Sequence, residues 1–167
     1  HVRVAQGEPG LFYGDEPVKP PDVVLPRIGS SVTAYGLAVV RQFEAMGVPV
    51  VNGSSGIAQS RDKLQSLQVL AREGLAVPIT LLAHQRASVP RLVEQVGGLP
   101  AIVKLNQGTQ GVGVMLATTL DEAEALLNTF WDLGHDILLQ QFVAESRGRD
   151  VRAFVVGDRV VAAMRRQ

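Results

Sequence analysis

Between Leu99 and Met115 a lysine, Lys104, stands at the end of an apolar run, and Gly108, Gly111 and Gly113 follow within nine residues. The run Ala101 to Leu105 suits a buried strand, and an ammonium group there without an anionic partner is costly. The reading therefore puts an anion at Lys104. Glycines tolerate positive φ and leave room for close approach, so the segment 108–113 can turn sharply and offer backbone N–H groups to oxygen ligands. The chemistry this combination suits is phosphate binding. A Walker A loop requires Gly-Lys-Ser/Thr, which is missing, and the Rossmann fingerprint requires G-x-G-x-x-G where this chain has G-x-x-G-x-G followed by β-type residues. A strand-loop-strand flap is the better description. On spacing alone a plain Gly-rich hairpin, with Lys104 snorkelling to solvent, stands beside it.

The rest of the composition narrows the field. The chain has 167 residues, 46% of them hydrophobic, enough for one good core or two small ones. Sixteen basic residues balance sixteen acidic ones, so no global field recruits nucleic acid or anionic membrane, and an anion site must be local. Cysteine is absent and His1, His84 and His135 lie far apart, which argues against thiolate or histidine metal sites. With no apolar run near the roughly 18 residues of a membrane span, and no signal-peptide pattern, the chain reads as soluble and cytoplasmic. It starts at His1 in a Gly/Pro-rich stretch and stops at Gln167 directly after a strand pattern, so it reads as a fragment cut at both ends.

Several elements position these residues. Residues 1–21 predict a loop or weak edge hairpin. A short buried strand over Asp22 to Pro26, a helix through Leu37, Val40, Phe43 and Met46 stopped by Gly47, and a strand over Val48 to Val51 make a parallel strand-helix-strand unit. Asn52 to Ser60 has linker composition. A helix over Asp62 to Gly74 starts at Ser60 or Asp62 as N-cap and carries Lys63 as its second residue. Then come a strand at 78–82, a helix at 88–96, strands at 101–105 and 112–116 around the glycines, and a helix opened by the capping box Thr119 to Glu122. An apolar strand over 137–143 ends in Gln140-Gln141-Phe142-Val143. Strands 150–156 and 159–165, joined by Gly157-Asp158, form a hairpin.

In this order, Pro26-Arg27-Ile28-Gly29, Arg61-Asp62-Lys63-Leu64, Val103-Lys104-Leu105, Gln107 to Val114, Gln141-Phe142-Val143 and Asp150 to Gly157 resemble the ATP-grasp ligases, and among them the RimK-type glutamate ligases. The resemblance covers nearly the whole chain. It implies an α/β fold: a partial pre-ATP-grasp parallel α/β domain at 1–60, an ATP-grasp α+β subdomain at 61–140, and the first strands of the second subdomain at 141–167.

The resemblance also implies roles. Lys104 and Lys63 would bind the phosphates of ATP, under a flap of Gln107, Gly108, Thr109, Gln110, Gly111, Val112 and Gly113. Gln141, Phe142 and Val143 match the adenine hinge, Asp150 or Glu145 would reach the ribose, and Arg152 would orient a phosphate or carboxylate in catalysis. No residue of the chain is expected to ligate metal; the Mg2+ ligands of such enzymes are expected beyond residue 167. The implied reaction joins glutamate, or a similar amino acid, to an acceptor carboxylate through an acyl phosphate. The C-terminus of a small-subunit ribosomal protein is one such acceptor, a homo-oligomer is compatible, and neither nucleic acid nor membrane is a direct partner. Many members carry Glu where this chain has Gln141. A non-catalytic nucleotide-binding module with the same fold is the alternative. Taken singly, Lys63 reads as a surface lysine, Phe142 as core, and Asp150 with Arg152 as a same-face ion pair.

Overall fold

The computed structural model describes residues 1–7, 10–106, 113–146 and 148–166, with the backbone alone at Ser30. The chain divides into two compact units, His1–Val77 with Leu105–Val114, and Pro78–Lys104 with Met115–Gln167.

The first unit opens with three short strands, β1 (Val2–Arg3), β2 (Gly10–Tyr13) and β3 (Glu16–Pro17), paired antiparallel in that order. The expected edge hairpin is thus a three-stranded ribbon. Helix α1 (Thr33–Ala45) buries Leu37 and Val40, and the buried Gln42 donates from Nε2 to the Arg3 carbonyl at 3.2 Å, which ties α1 to β1. Gly47, at φ +75°, ends the helix as its position in the sequence suggests. The flanking segments pair in parallel only at Val24 and Val50. The buried strand expected over Asp22 to Pro26 is corrected accordingly: Val23 and Leu25 are 46% and 70% exposed, so apolar composition without a second covered face does not sustain a strand there.

The linker expected over Asn52 to Ser60 is also corrected, since Ser54–Arg61 is a helix, α2. Its first turn is capped from another element. Glu44, in α1, accepts from the Ser54 N–H at 2.7 Å and from the Ser54 hydroxyl at 2.6 Å. A carboxylate at a helix N-terminus satisfies orphan donors and complements the dipole. These bonds, the hydroxyl's first and then the N–H's, hold the Glu44 carboxyl below its usual range. Asp62 closes α2 and caps α3 (Lys63–Arg72), accepting from the Gln65 N–H at 2.8 Å.

The second unit is a sheet backed by two helices. Strands β4 (Thr80–Ala83), β5 (Ala101–Leu105), β6 (Val114–Ala117) and β7 (Ile137–Gln141) lie in the order β4-β7-β5-β6, with β4 and β7 antiparallel. Helix α4 (Val89–Gln95) and helix α5 (Leu120–Asp132) cover one face. Val89, Val93, Ala123 and Leu127 pack there on Ala101, Val103, Ala117, Ile137 and Leu139. The Thr119–Glu122 capping box opens α5 as the sequence predicts. Strands β8 (Asp150–Val156) and β9 (Arg159–Arg166) form the expected antiparallel hairpin across Gly157-Asp158, exposed along its length.

Candidate functional site

Alternation along the strands sorts the second unit's sheet into two faces. Ile137, Leu139, Ala101 and Val103 lie in the helix-covered core. The residues between them point the other way. Thr80 is directly opposite Gln140 and Leu82 opposite Leu138 in the β4–β7 register, and Lys104 reaches the same face from β5. There the Lys104 ammonium donates to Oε1 of Gln140 at 2.5 Å, Nε2 of Gln140 donates to the Thr80 hydroxyl at 2.7 Å, and that hydroxyl donates to the Pro78 carbonyl at 2.9 Å. Gln140 is 7% exposed, so its amide has a defined orientation and an expensive alternative. The lysine is thereby held by a neutral oxygen on a face that also carries the half-exposed Leu82 and Leu116.

In the first unit, Lys63 occupies the first position of α3 and donates to the carbonyls of Leu105 and Asn106 at 2.9 and 3.3 Å. Its ammonium therefore sits at the residues that lead into the glycine segment. Asn106 Oδ1 is buried there with no hydrogen-bond partner among the described residues. The six expected flap residues Gln107, Gly108, Thr109, Gln110, Gly111 and Val112 lie outside the described residues. The seventh, Gly113, has φ +82°, accepts from the Leu105 N–H at 3.2 Å, and leaves only 3.1 Å between a Cβ built on it and Leu105 Cδ1. Both its conformation and its crowding call for glycine.

Gln141 ends β7 and pairs twice with Ile79, its N–H donating to the Ile79 carbonyl at 2.8 Å and its Oε1 accepting from the Ile79 N–H at 3.2 Å. Phe142 is half-buried, and the carbonyl of Val143 accepts from the N–H of Ser146 at 3.3 Å in a short 3-10 turn. Glu145 and Asp150 line one cavity of about 230 Å3 with Arg149 and Arg165. Asp150 is gripped by its cross-strand neighbour Arg166, whose Nε donates to Oδ1 at 2.7 Å and whose Nη2 donates to Oδ2. That hydrogen bonding, helped by the charges of Arg166 and Arg152 and opposed by burial, keeps the Asp150 carboxyl below its usual range. The ion-pair partner of Asp150 is thus Arg166, not Arg152 as the alternation within one strand suggested. Arg152 stands exposed in β8.

Two polar residues of this arrangement were not among the expected contacts, Gln140 and Thr80. Their signal was the polar Gln140-Gln141 pair ending an apolar strand, which cannot by itself tell which glutamine shares a face with Lys104.

With this geometry in view, the comparisons with known proteins are specific. Residues 60–167 match the RimK-like ATP-grasp domain and residues 1–57 the RimK pre-ATP-grasp domain. The chain belongs to the RimK-like ATP-grasp family, and its fold class is the one the resemblance implied. It is similar to proteins named probable alpha-L-glutamate ligase, from Rhodopirellula baltica at 53% identity and from Marinobacter nauticus at 51%. Each alignment covers 99% of this chain, against 41% and 55% of the relative. The chain thus spans about half the length of the curated relatives it matches. Among solved structures, a RimK domain ATP-grasp protein from Sphaerobacter thermophilus superposes with a TM-score of 0.72 at 25% identity, over 87% of this chain and 55% of that one. A D-alanine-D-alanine ligase from Coxiella burnetii shares the fold at 17% identity and a TM-score of 0.69, over 98% and 48%.

Proposed function

We propose that this chain is the nucleotide-binding portion of an ATP-dependent ligase that joins the amine of glutamate, or a similar amino acid, to an acceptor carboxylate. The observation that carries the reading is Lys104, held by the buried Gln140 amide on the sheet face turned away from the helices. A lysine is a compact point charge suited to phosphate oxygens, and its anchored position lets it meet them without reorganising. Lys63, at the entry to the glycine segment, is proposed as a second phosphate contact. Gln107 to Gly113 would cover the phosphates, Gln141 to Val143 would meet the adenine, Asp150 the ribose, and Arg152 would orient a phosphate or carboxylate. The names of the relatives support the choice of glutamate.

In the proposed reaction an acceptor carboxylate oxygen attacks the γ-phosphorus of ATP, releasing ADP. The glutamate amine then attacks the acyl phosphate, the new C–N bond forms, and inorganic phosphate leaves. The chain's own part is to neutralise and position the phosphates, and no covalent enzyme intermediate is required. The C-terminus of a small-subunit ribosomal protein is one acceptor of the right chemistry. Among the described residues no three acidic or histidine side chains gather into a metal cluster, and the ligands of Mg2+ are proposed to lie beyond residue 167. The division at 1–60, 61–140 and 141–167 is part of the proposal, and the change of family match between residues 57 and 60 supports its first boundary. Among the described residues no helix is long and apolar enough to cross a membrane, and a cytoplasmic site is proposed because the reaction consumes ATP.

The test is glutamate-dependent ADP release by the full-length protein across a panel of carboxylate acceptors. Release with at least one acceptor is expected. ATP binding without release on any acceptor favours the non-catalytic module.

A further inference from the structure

A cavity of about 360 Å3 lies in the first unit, lined by Pro26, Arg27, Ile28, Ile57, Ser60 and Arg61. It joins two sequence motifs, Pro-Arg-Ile-Gly and Arg-Asp-Lys-Leu, whose arginines have no part in the nucleotide reading. Arg61 is held by neutral acceptors, with Nη1 donating to the Thr33 hydroxyl at 3.0 Å and Nη2 to the Ile28 carbonyl. These two bonds use two of five guanidinium N–H groups and none of the charge. Among the described residues neither Arg27 nor Arg61 has a carboxylate within ion-pair distance. Arg27 and Arg61 therefore line one cavity with no ion pair to either among the described residues, beside Ser60, Pro26, Ile28 and Ile57.

One wall packs closely on α1. Gly36 of α1 has no Cβ, and one built there would overlap Ile28 Cγ2 and stand 3.0 Å from Cγ1. Ile28 can therefore lie directly on the helix. The opposite wall is the end of α2, whose start is capped by Glu44 from the same helix α1. A small preformed cavity with a few convergent charges and apolar sides suits a small polar ligand with a methylene stem. Guanidinium groups recognise carboxylates in bidentate fashion.

We propose that the Arg27–Arg61 cavity binds a substrate carboxylate, that of free glutamate or that of the peptide acceptor. The proposal rests on the ligase reading, and its first test does not depend on turnover. The full-length protein is labelled with phenylglyoxal, which modifies arginine, and the rate at Arg27 and Arg61 is read by mass spectrometry. The probes are L-glutamate and the dipeptide α-Glu-Glu, each against its fully amidated counterpart. At tenfold saturation a carboxylate probe should slow labelling at Arg27 about tenfold, while the amides leave it unchanged. Protection by glutamate assigns the cavity to the amino-acid substrate, and protection by the dipeptide alone assigns it to the acceptor. Failure of both carboxylates up to about 50 mM, far above the usual ~1 mM upper range of KM, overturns the proposal. So does equal protection by the amides. In turnover, Arg27→Gln should raise KM for the protecting substrate about tenfold and leave KM for ATP unchanged; an unchanged KM for that substrate also overturns it. Arg27 is exposed and makes no side-chain hydrogen bond among the described residues, so the variant is expected to fold, which its thermal unfolding checks. Absence of ADP release with carboxylate protection intact would count against the ligase reading and leave the cavity's assignment standing.

Discussion

Replacing Lys104 by alanine has two effects that separate assays can distinguish. The first is loss of the proposed bond to phosphate. A charge-assisted hydrogen bond contributes about 1.5 to 3 kcal/mol, so ADP affinity should fall roughly 10- to 150-fold while adenosine, which has no phosphate, binds as before. The second is loss of the 2.5 Å bond to Oε1 of Gln140. Gln140 is 7% exposed, and a buried acceptor stripped of its donor costs about 1 to 3 kcal/mol. At about 2 to 4 °C per kcal/mol for a domain of this size, the melting temperature should drop roughly 2 to 12 °C. The double variant Lys104→Ala/Gln140→Leu removes the stranded acceptor together with its donor. The Thr80 hydroxyl keeps its bond to the Pro78 carbonyl, so much of the stability should return without the ADP affinity. Titration calorimetry with ADP and adenosine, run beside thermal unfolding, reads both effects. ADP binding in Lys104→Ala within about twofold of wild type, a change worth only ~0.4 kcal/mol, would refute the phosphate role. Recovery of ADP affinity in the double variant would refute it equally, since the loss would then follow stability alone.

Three further outcomes follow from other contacts of the chain. Thr80→Val leaves the Gln140 Nε2 donor without its acceptor and frees the amide to turn; stability should fall by about 1 to 2 kcal/mol and ADP should bind more weakly with adenosine unaffected, while Thr80→Ser restores both. Loss of adenosine affinity to the same extent would show a merely structural role. Gly36→Ala ordinarily stabilises a helix by about 1 kcal/mol, but the clash with Ile28 reverses the sign here, and overpacking should destabilise by about 1 to 3 kcal/mol in urea unfolding; a stabilised variant contradicts the packing described. Ser54→Ala should cost about 1 kcal/mol at neutral pH, a value reduced for the exposure of Glu44. Because folding lowers the Glu44 pKa from 4.5, the contribution is complete above that value and fades as pH falls through the lower folded one. Wild type and variant should therefore converge in acid, and an undiminished gap at about pH 3 would remove Glu44 from the explanation.

Local rules read from the chain succeed where the determinant is itself local. The Thr119–Glu122 box, the Gly157-Asp158 turn and the Asp62 cap each depend on residues within a few positions of one another, and all three form as the sequence suggests. The segment 54–61 fails for the converse reason. With Asn52 and Gly53 before it, its Gly and Ser content resembles a linker, and its helix is capped by Glu44, ten residues from Ser54 on another element. A capping signal supplied by tertiary structure has no sequence window in which to be seen. Asp22 to Pro26 fails in the other direction, because an apolar run shows that burial would be favourable and not that a covering layer exists.

The same distinction governs the site. Lys104 stands out because an ammonium in an apolar run demands an explanation, and the identity of the family follows from motif order. The partner of that lysine depends on something a single strand cannot express. In β7 the adjacent Gln140 and Gln141 point to opposite faces; the pairing with β4 sets Gln140 opposite Thr80 and leaves Gln141 on Ile79, while the Lys104 ammonium meets Gln140 from β5. A shift of one residue in that pairing would exchange their roles without altering any composition or periodicity. The neutral Gln140 oxygen also changes what the lysine implies. Gln140, itself bonded to the Thr80 hydroxyl, helps to hold Lys104 in place. A phosphate arriving there meets a positioned charge, and the side chain's ordering has been supplied by folding instead of by binding.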